Sequence, residues 1–138
     1  MTWGRDSVEM RRLLKEIVVP ALRARGFKGS LPHFTRAHPT RLDLLSFQFS
    51  QFGPNLYIEV ASCGPNGHTA PNGQFTPKGK VRTYHIGEHR RRIGPQPSLD
   101  FEGVSESPDA AKFAAVITEA IERQGETWWK EPTSRLAT

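Results

Sequence analysis

Leu42-Asp43-Leu44-Leu45-Ser46-Phe47-Gln48-Phe49-Ser50, the turn Phe52-Gly53-Pro54-Asn55, and then Leu56-Tyr57-Ile58-Glu59-Val60-Ala61 decide the fold class of this chain. Leu45, Phe47 and Phe49 alternate with Ser46, Gln48 and Ser50, which is the two-residue period of a strand with one dry face and one wet face. After a proline-glycine turn the same period returns, with Leu56, Ile58 and Val60 set against Tyr57, Glu59 and Ala61. Two amphipathic strands joined by a tight turn read as an antiparallel pair. The strand spans expected are residues 41–51 and 56–61.

Upstream, residues 31–36 read as a shorter strand, and residues 7–25 as a helix whose apolar stripe is Met10, Leu13, Leu14, Ile17, Val18, Ala21 and Leu22. Asp6 stands in capping position with Glu9 three residues on, and Gly26 stands where a left-handed residue ends a helix. Pro20 interrupts that helix and predicts a kink, or a break near Val19. Downstream, residues 81–86 read as a fourth strand, with the arginines that follow either continuing it or turning away at Gly87. Ser107 as N-cap, Pro108 at the first helical position and Asp109 in the first turn introduce a second helix. Its stripe is Phe113, Val116, Ile117, Ala120 and Ile121, ending before Gly125, with Trp128 and Trp129 completing the layer. The fold class expected is α+β: a four-stranded antiparallel meander with the N-terminal and C-terminal helices packed on one face.

A chain of 138 residues suits one domain, expected to span residues 1–138 with an ordered core of about 6–131 and fraying beyond Pro132. Residues 63–80 repeat Pro-Asn-Gly, Pro-Asn-Gly and Pro-Lys-Gly every six residues, which predicts a flexible loop. Cys63 is the single cysteine and has no partner for a bridge, so the expected compartment is the reducing cytoplasm. No apolar run reaches membrane-spanning length. Charge is unevenly laid out: residues 1–99 hold 15 Lys and Arg against 6 Asp and Glu, and residues 100–138 hold 4 against 8. A basic majority followed by an acidic helix fits attraction of a polyanion, or internal shielding of that charge.

Catalytic patterns are sparse. Asp43 and Glu59 are the acids on the central strands, and strand geometry does not oblige them to share a cleft. His85 and His89 stand four apart, a zinc-ligand spacing on a helix, but Gly87 between them and the strand-like surroundings leave metal-assisted hydrolysis as a remote alternative. No glycine-rich turn is followed by Lys-Ser or Lys-Thr, so nucleotide hydrolysis has no support, and no cofactor is expected.

Binding chemistry is richer. Gly87-Glu88-His89-Arg90-Arg91-Arg92-Ile93-Gly94 sets three guanidinium forks beside a histidine, and such forks suit carboxylate or phosphate. In a strand, Arg90 and Arg92 point to one face and Arg91 to the other. Lys78, Lys80 and Tyr84 lie just upstream, so the expected contact residues are His89, Arg90, Arg91, Arg92, Lys78, Lys80 and Tyr84. A protein partner is the leading expectation, and a nucleic-acid strand held along the basic stretch 78–92 is the alternative.

Three separated motifs carry a family resemblance. Arg25-Gly26-Phe27-Lys28 leading to Phe34-Thr35-Arg36, Leu45-Ser46-Phe47-Gln48-Phe49-Ser50, and Arg90-Arg91-Arg92-Ile93-Gly94 together resemble a bacterial family catalogued as domain of unknown function 4304. This chain carries Glu59 and Ala61 where the family tends to have asparagine and glycine, and Leu99-Asp100-Phe101 in place of a tryptophan. The resemblance implies an α+β domain without an established catalytic activity. By analogy with small bacterial domains that neutralise toxins, it also implies an immunity-type protein whose partner is a toxin. On that basis Arg92-Ile93-Gly94 is expected to be structural.

Overall fold

The computed structural model describes residues 2–87 and 89–131. Glu88 and the stretch beyond Glu131, where fraying was expected, lie outside the described residues. Helix α1 (Thr2–Leu13) runs through a π-helical turn (Leu14–Val18) into α2 (Val19–Ala24). Pro20 therefore neither breaks the helix nor ends it. Its missing N–H and bulky ring are accommodated next to the wider π turn, in which the Val19 N–H donates to the Leu14 carbonyl. Met10, Leu13, Leu14, Val18 and Leu22 are buried, whereas Ile17, expected in the stripe, is 40% exposed. Helix α2 ends as Gly26 predicts: Gly26 has φ +93°, and the Phe27 N–H returns to the Leu22 carbonyl.

Strands β1 (Lys28–Ser30), β2 (His33–Ala37), β3 (Leu42–Phe49) and β4 (Asn55–Cys63) form an antiparallel meander. Leu45 faces Val60, Phe47 faces Ile58 and Phe49 faces Leu56, so the alternation seen in the sequence is the register of the sheet. Residues 63–80, expected as a flexible loop, contain a two-stranded ribbon of β5 (Gly67–Thr69) and β6 (Phe75–Pro77). A Cβ on Gly67 would stand 2.2 Å from the Thr76 carbonyl oxygen, so the two arms close only because that residue is glycine.

Residues 81–86 do not form the fourth strand. They make a short 3-10 turn (Thr83–His85) that lays Val81 and Ile86 on Leu42, Leu44, Ala61 and Cys63, a second small core on the face of the sheet away from the helices. The strand beside β4 is the arginine run itself, β7 (Arg90–Ile93), with β8 (Leu99–Asp100) pairing the start of β4. Side chains on an outer strand have solvent beside them, which is how three consecutive arginines fit a sheet.

The acidic helix follows. Ser107 accepts the Asp109 N–H in a local turn, and α3 (Ala111–Ala120) begins later than its capping signal predicts. It passes through a second π turn (Ile121–Gly125) into α4 (Glu126–Trp129). Gly125 does not end it, because a Cβ there would lie 3.0 Å from the Trp129 ring, and the bare backbone lets that ring pack down. Both helical segments cover the Phe34, Leu45, Phe47, Ile58, Val60 and Ile93 face in one core that includes Trp129. The Trp129 indole N–H is shared between the Leu44 and Ala61 carbonyls at 3.3 and 3.1 Å. This is the α+β arrangement expected, with helices at both ends of the chain packed on the same face of an antiparallel sheet.

Candidate functional site

The conspicuous polar cluster of the interior serves the fold. Asp43 is fully buried and its carboxylate receives Arg36 Nε at 2.9 Å, Arg41 Nε at 2.8 Å and His38 Nε2 at 2.7 Å. Arg36 also holds Glu126 of α4 through both terminal nitrogens, at 2.7 and 3.0 Å, and stacks on Phe27. Burial opposes charge on Arg36, but Glu126 and Asp43 outweigh it and its pKa lies above the ordinary value. Burial likewise opposes charge on Glu126, and Arg36 with Arg25 still holds its carboxyl below the usual range. The cluster bolts the last helix to the sheet.

Asp6, expected to cap its own helix, is turned inward at 1% exposure. Its oxygens receive the Gly103 N–H at 2.8 Å, the Ser105 N–H at 2.9 Å and the Ser105 hydroxyl at 2.6 Å. Helix α1 starts earlier than the sequence suggests, so this carboxylate caps a distant 3-10 turn (Val104–Glu106) instead. Hydrogen bonding from Ser105 and Gly103 keeps its pKa below the ordinary value against the effect of burial. Cys63 is buried, and burial with the nearby Asp43 charge pushes its thiol up to about 12.

The seven expected contact residues divide into groups. Arg90 opposes Ala61 and Arg92 opposes Glu59, so both project on the face away from the helices, whereas Arg91 opposes Val60 and stands over the Trp128 ring at 5.7 Å. Arg90 Nε and Arg92 Nε each lie 3.8 Å from the same Glu59 oxygen, and Arg92 stacks on Tyr57 at 4.1 Å. One carboxylate is thus shared by two guanidinium groups, and the pair keeps net positive charge. His89 sits in the turn before β7, where its carbonyl accepts the Trp128 indole N–H at 3.3 Å. Ile93 and Gly94 behave structurally: Ile93 is buried opposite Ile58, and Gly94 has φ +87° and donates its N–H to Gln124.

Tyr84 is 62% exposed and packs on His85 at 4.4 Å and, edge-on, on His33 at 5.9 Å. Lys80 is exposed, and Lys78 borders a cleft at the opposite edge of the sheet, between the β1–β2 hairpin and residues 78–82. Lys28 and His33, which share that cleft, carry no local signal, because it forms only when segments some fifty residues apart in the chain come together. His85 accepts the Arg82 N–H on Nδ1 at 2.9 Å, which commits that nitrogen to the backbone. Among the described residues no three His, Cys, Asp or Glu side chains converge at metal-ligating distances.

These features define a small α+β domain with two helical segments backing a sheet whose other face carries a small apolar core and, on its outer strand, Arg90 and Arg92. The chain belongs to the family described as Domain of unknown function (DUF4304), whose model matches residues 18–131. Comparisons with curated proteins and with solved structures each returned no significant match. No helix among the described residues is long and apolar enough to cross a membrane.

Proposed function

We propose that the chain is a non-enzymatic cytoplasmic binding domain that receives an acidic protein surface on the side of the sheet away from its helices, as an immunity-type protein occluding a bacterial toxin would. The observation that carries this reading is the Arg90–Arg92 pair. Both side chains stand on an outer strand, both lean toward one largely covered carboxylate, and Tyr57 pre-orients Arg92. Two guanidinium groups held in place lose little freedom on meeting carboxylates, and arginine and tyrosine are enriched among the energetic anchors of interfaces. The groups that would otherwise suggest catalysis are engaged elsewhere: Asp43 is saturated by three donors and the Cys63 thiol is held protonated.

Coexpression with the product of the adjacent gene tests the partner. Recovery of a complex that the double reversal Arg90→Glu, Arg92→Glu disrupts, while Lys112→Glu on α3 does not, is the expected result. A complex indifferent to the double reversal would refute the face, and no complex together with no protection from the neighbour's toxicity would refute the immunity role.

A second reading rests on Tyr84, an exposed ring flanked by Arg82 and close in sequence to Lys78 and Lys80. Such a ring could stack a base while the cations follow the strand phosphates. Oligonucleotide affinity would then fall steeply with salt, and absence of retention at about 50 mM salt would remove the reading.

A further inference from the structure

The geometry points to a separate binding site for a small phosphate-bearing ligand, of diphosphate type, in the cleft between the β1–β2 hairpin and residues 78–82. Its wall includes Lys28, Ser30, His33, Thr35, Lys78 and Arg82, and among the described residues no Asp or Glu lines it. Among the described residues none of the three cations has a carboxylate within ion-pair distance, whereas Arg12, Arg25, Arg36, Arg41, Arg90, Arg92 and Arg123 all do. Among the described residues the Arg82 side chain makes one hydrogen bond, Nη1 to the Val81 carbonyl at 3.1 Å, which leaves most of its donor fork for another acceptor. His33 also lines the cleft, and its Nδ1 is buried without a hydrogen-bond partner among the described residues.

The ligand class follows from how the donors arrive. Lys28 comes from β1, and Lys78 and Arg82 from the segment across the cleft. A tetrahedral phosphate presents oxygens to both walls at once, while a planar carboxylate serves donors lying near one plane. The volume, about 260 Å³, falls just below the usual range of ligand pockets, room for a diphosphate with little attached. Convergent positive charge also acts on His33, whose pKa is lowered by burial first and then by Arg82 and His85. A bound anion opposes that effect. The site lies across the sheet from Arg90 and Arg92 and does not rest on the partner reading.

Calorimetric titration of the full chain with inorganic pyrophosphate, inorganic phosphate and citrate tests it. Saturable binding of pyrophosphate, tighter than phosphate or citrate, is expected. Lys28→Gln and Lys78→Gln should each weaken it about tenfold or more, as should Arg82→Gln, while Lys112→Gln leaves it unchanged. Lys28 and Lys78 are exposed, so their variants test binding without disturbing the core. In the same complex the His33 NMR titration should move to higher pH. Absence of saturable pyrophosphate binding, citrate binding as tightly, or variants that bind like the parent would overturn the proposal. It would also be overturned if a single-stranded oligonucleotide, and not pyrophosphate, bound with that dependence on Lys28 and Arg82.

Discussion

Asp6 shows how one carboxylate changes meaning once the chain is folded. Four residues before Met10, with Glu9 in capping-box spacing, it reads as a local N-cap, yet it secures residues 103–105 at the far end of the chain. Replacing it leaves two backbone N–H groups and a hydroxyl without their charged acceptor. Asp6→Ala is therefore expected to lower stability by about 2–3 kcal/mol, measured by urea denaturation. Glu9→Ala, which removes an exposed pairing with Arg12, should cost much less than Asp6→Ala. The candidate contacts follow the same lesson. Alternation along β7 was legible from three successive arginines, but Glu59 beneath Arg90 and Arg92, and Trp128 beneath Arg91, come from other strands and helices.

Elements were more legible than their ends. Helix α2 stops at Gly26 because that residue adopts φ +93°, which a side chain resists, so Gly26→Ala should cost about 1 kcal/mol while Gly4→Ala, facing open space in α1, should not destabilise. Equilibrium denaturation of the two variants measures the difference. Strands β3 and β4 followed from their period, since each alternation of apolar and polar side chains corresponds to one cross-strand pair. Residues 81–86 misled because Val81, Thr83 and Ile86 are buried by a turn packed on the sheet, and burial alone does not distinguish a strand from a turn seated on a second small core. The two π turns left no period to read. Each places an extra residue in the helix, one beside Pro20 and one where Gly125 admits the Trp129 ring.

For the whole molecule, acid should destabilise the fold in two stages. His33 and His68 have folded pKa values below the ordinary 6.5, His33 through burial and then Arg82 and His85, His68 through burial and then His85 and His89. The unfolded chain then binds more protons at these sites, so their contribution is complete above pH 6.5 and declines as pH falls through that value toward the folded pKa. Asp6 and Glu126 are likewise depressed from 3.8 and 4.5, so a second loss begins below about pH 4.5. Denaturant midpoints between pH 8 and pH 3 measure both stages, and His68→Gln should shrink the first while leaving the second. The strand period, the glycine stop of the first helix and the uneven charge were readable in the chain because each depends on neighbours in sequence. The pairing of β7 with β4, the Asp43–Arg36–Glu126 bolt, the cap made by Asp6 and the cleft of Lys28, Lys78 and Arg82 were not. Those contacts join residues up to about a hundred positions apart, and hydrophobic packing of helices on the sheet, which carries no local signature of which polar groups it will bring together, is what places them in contact.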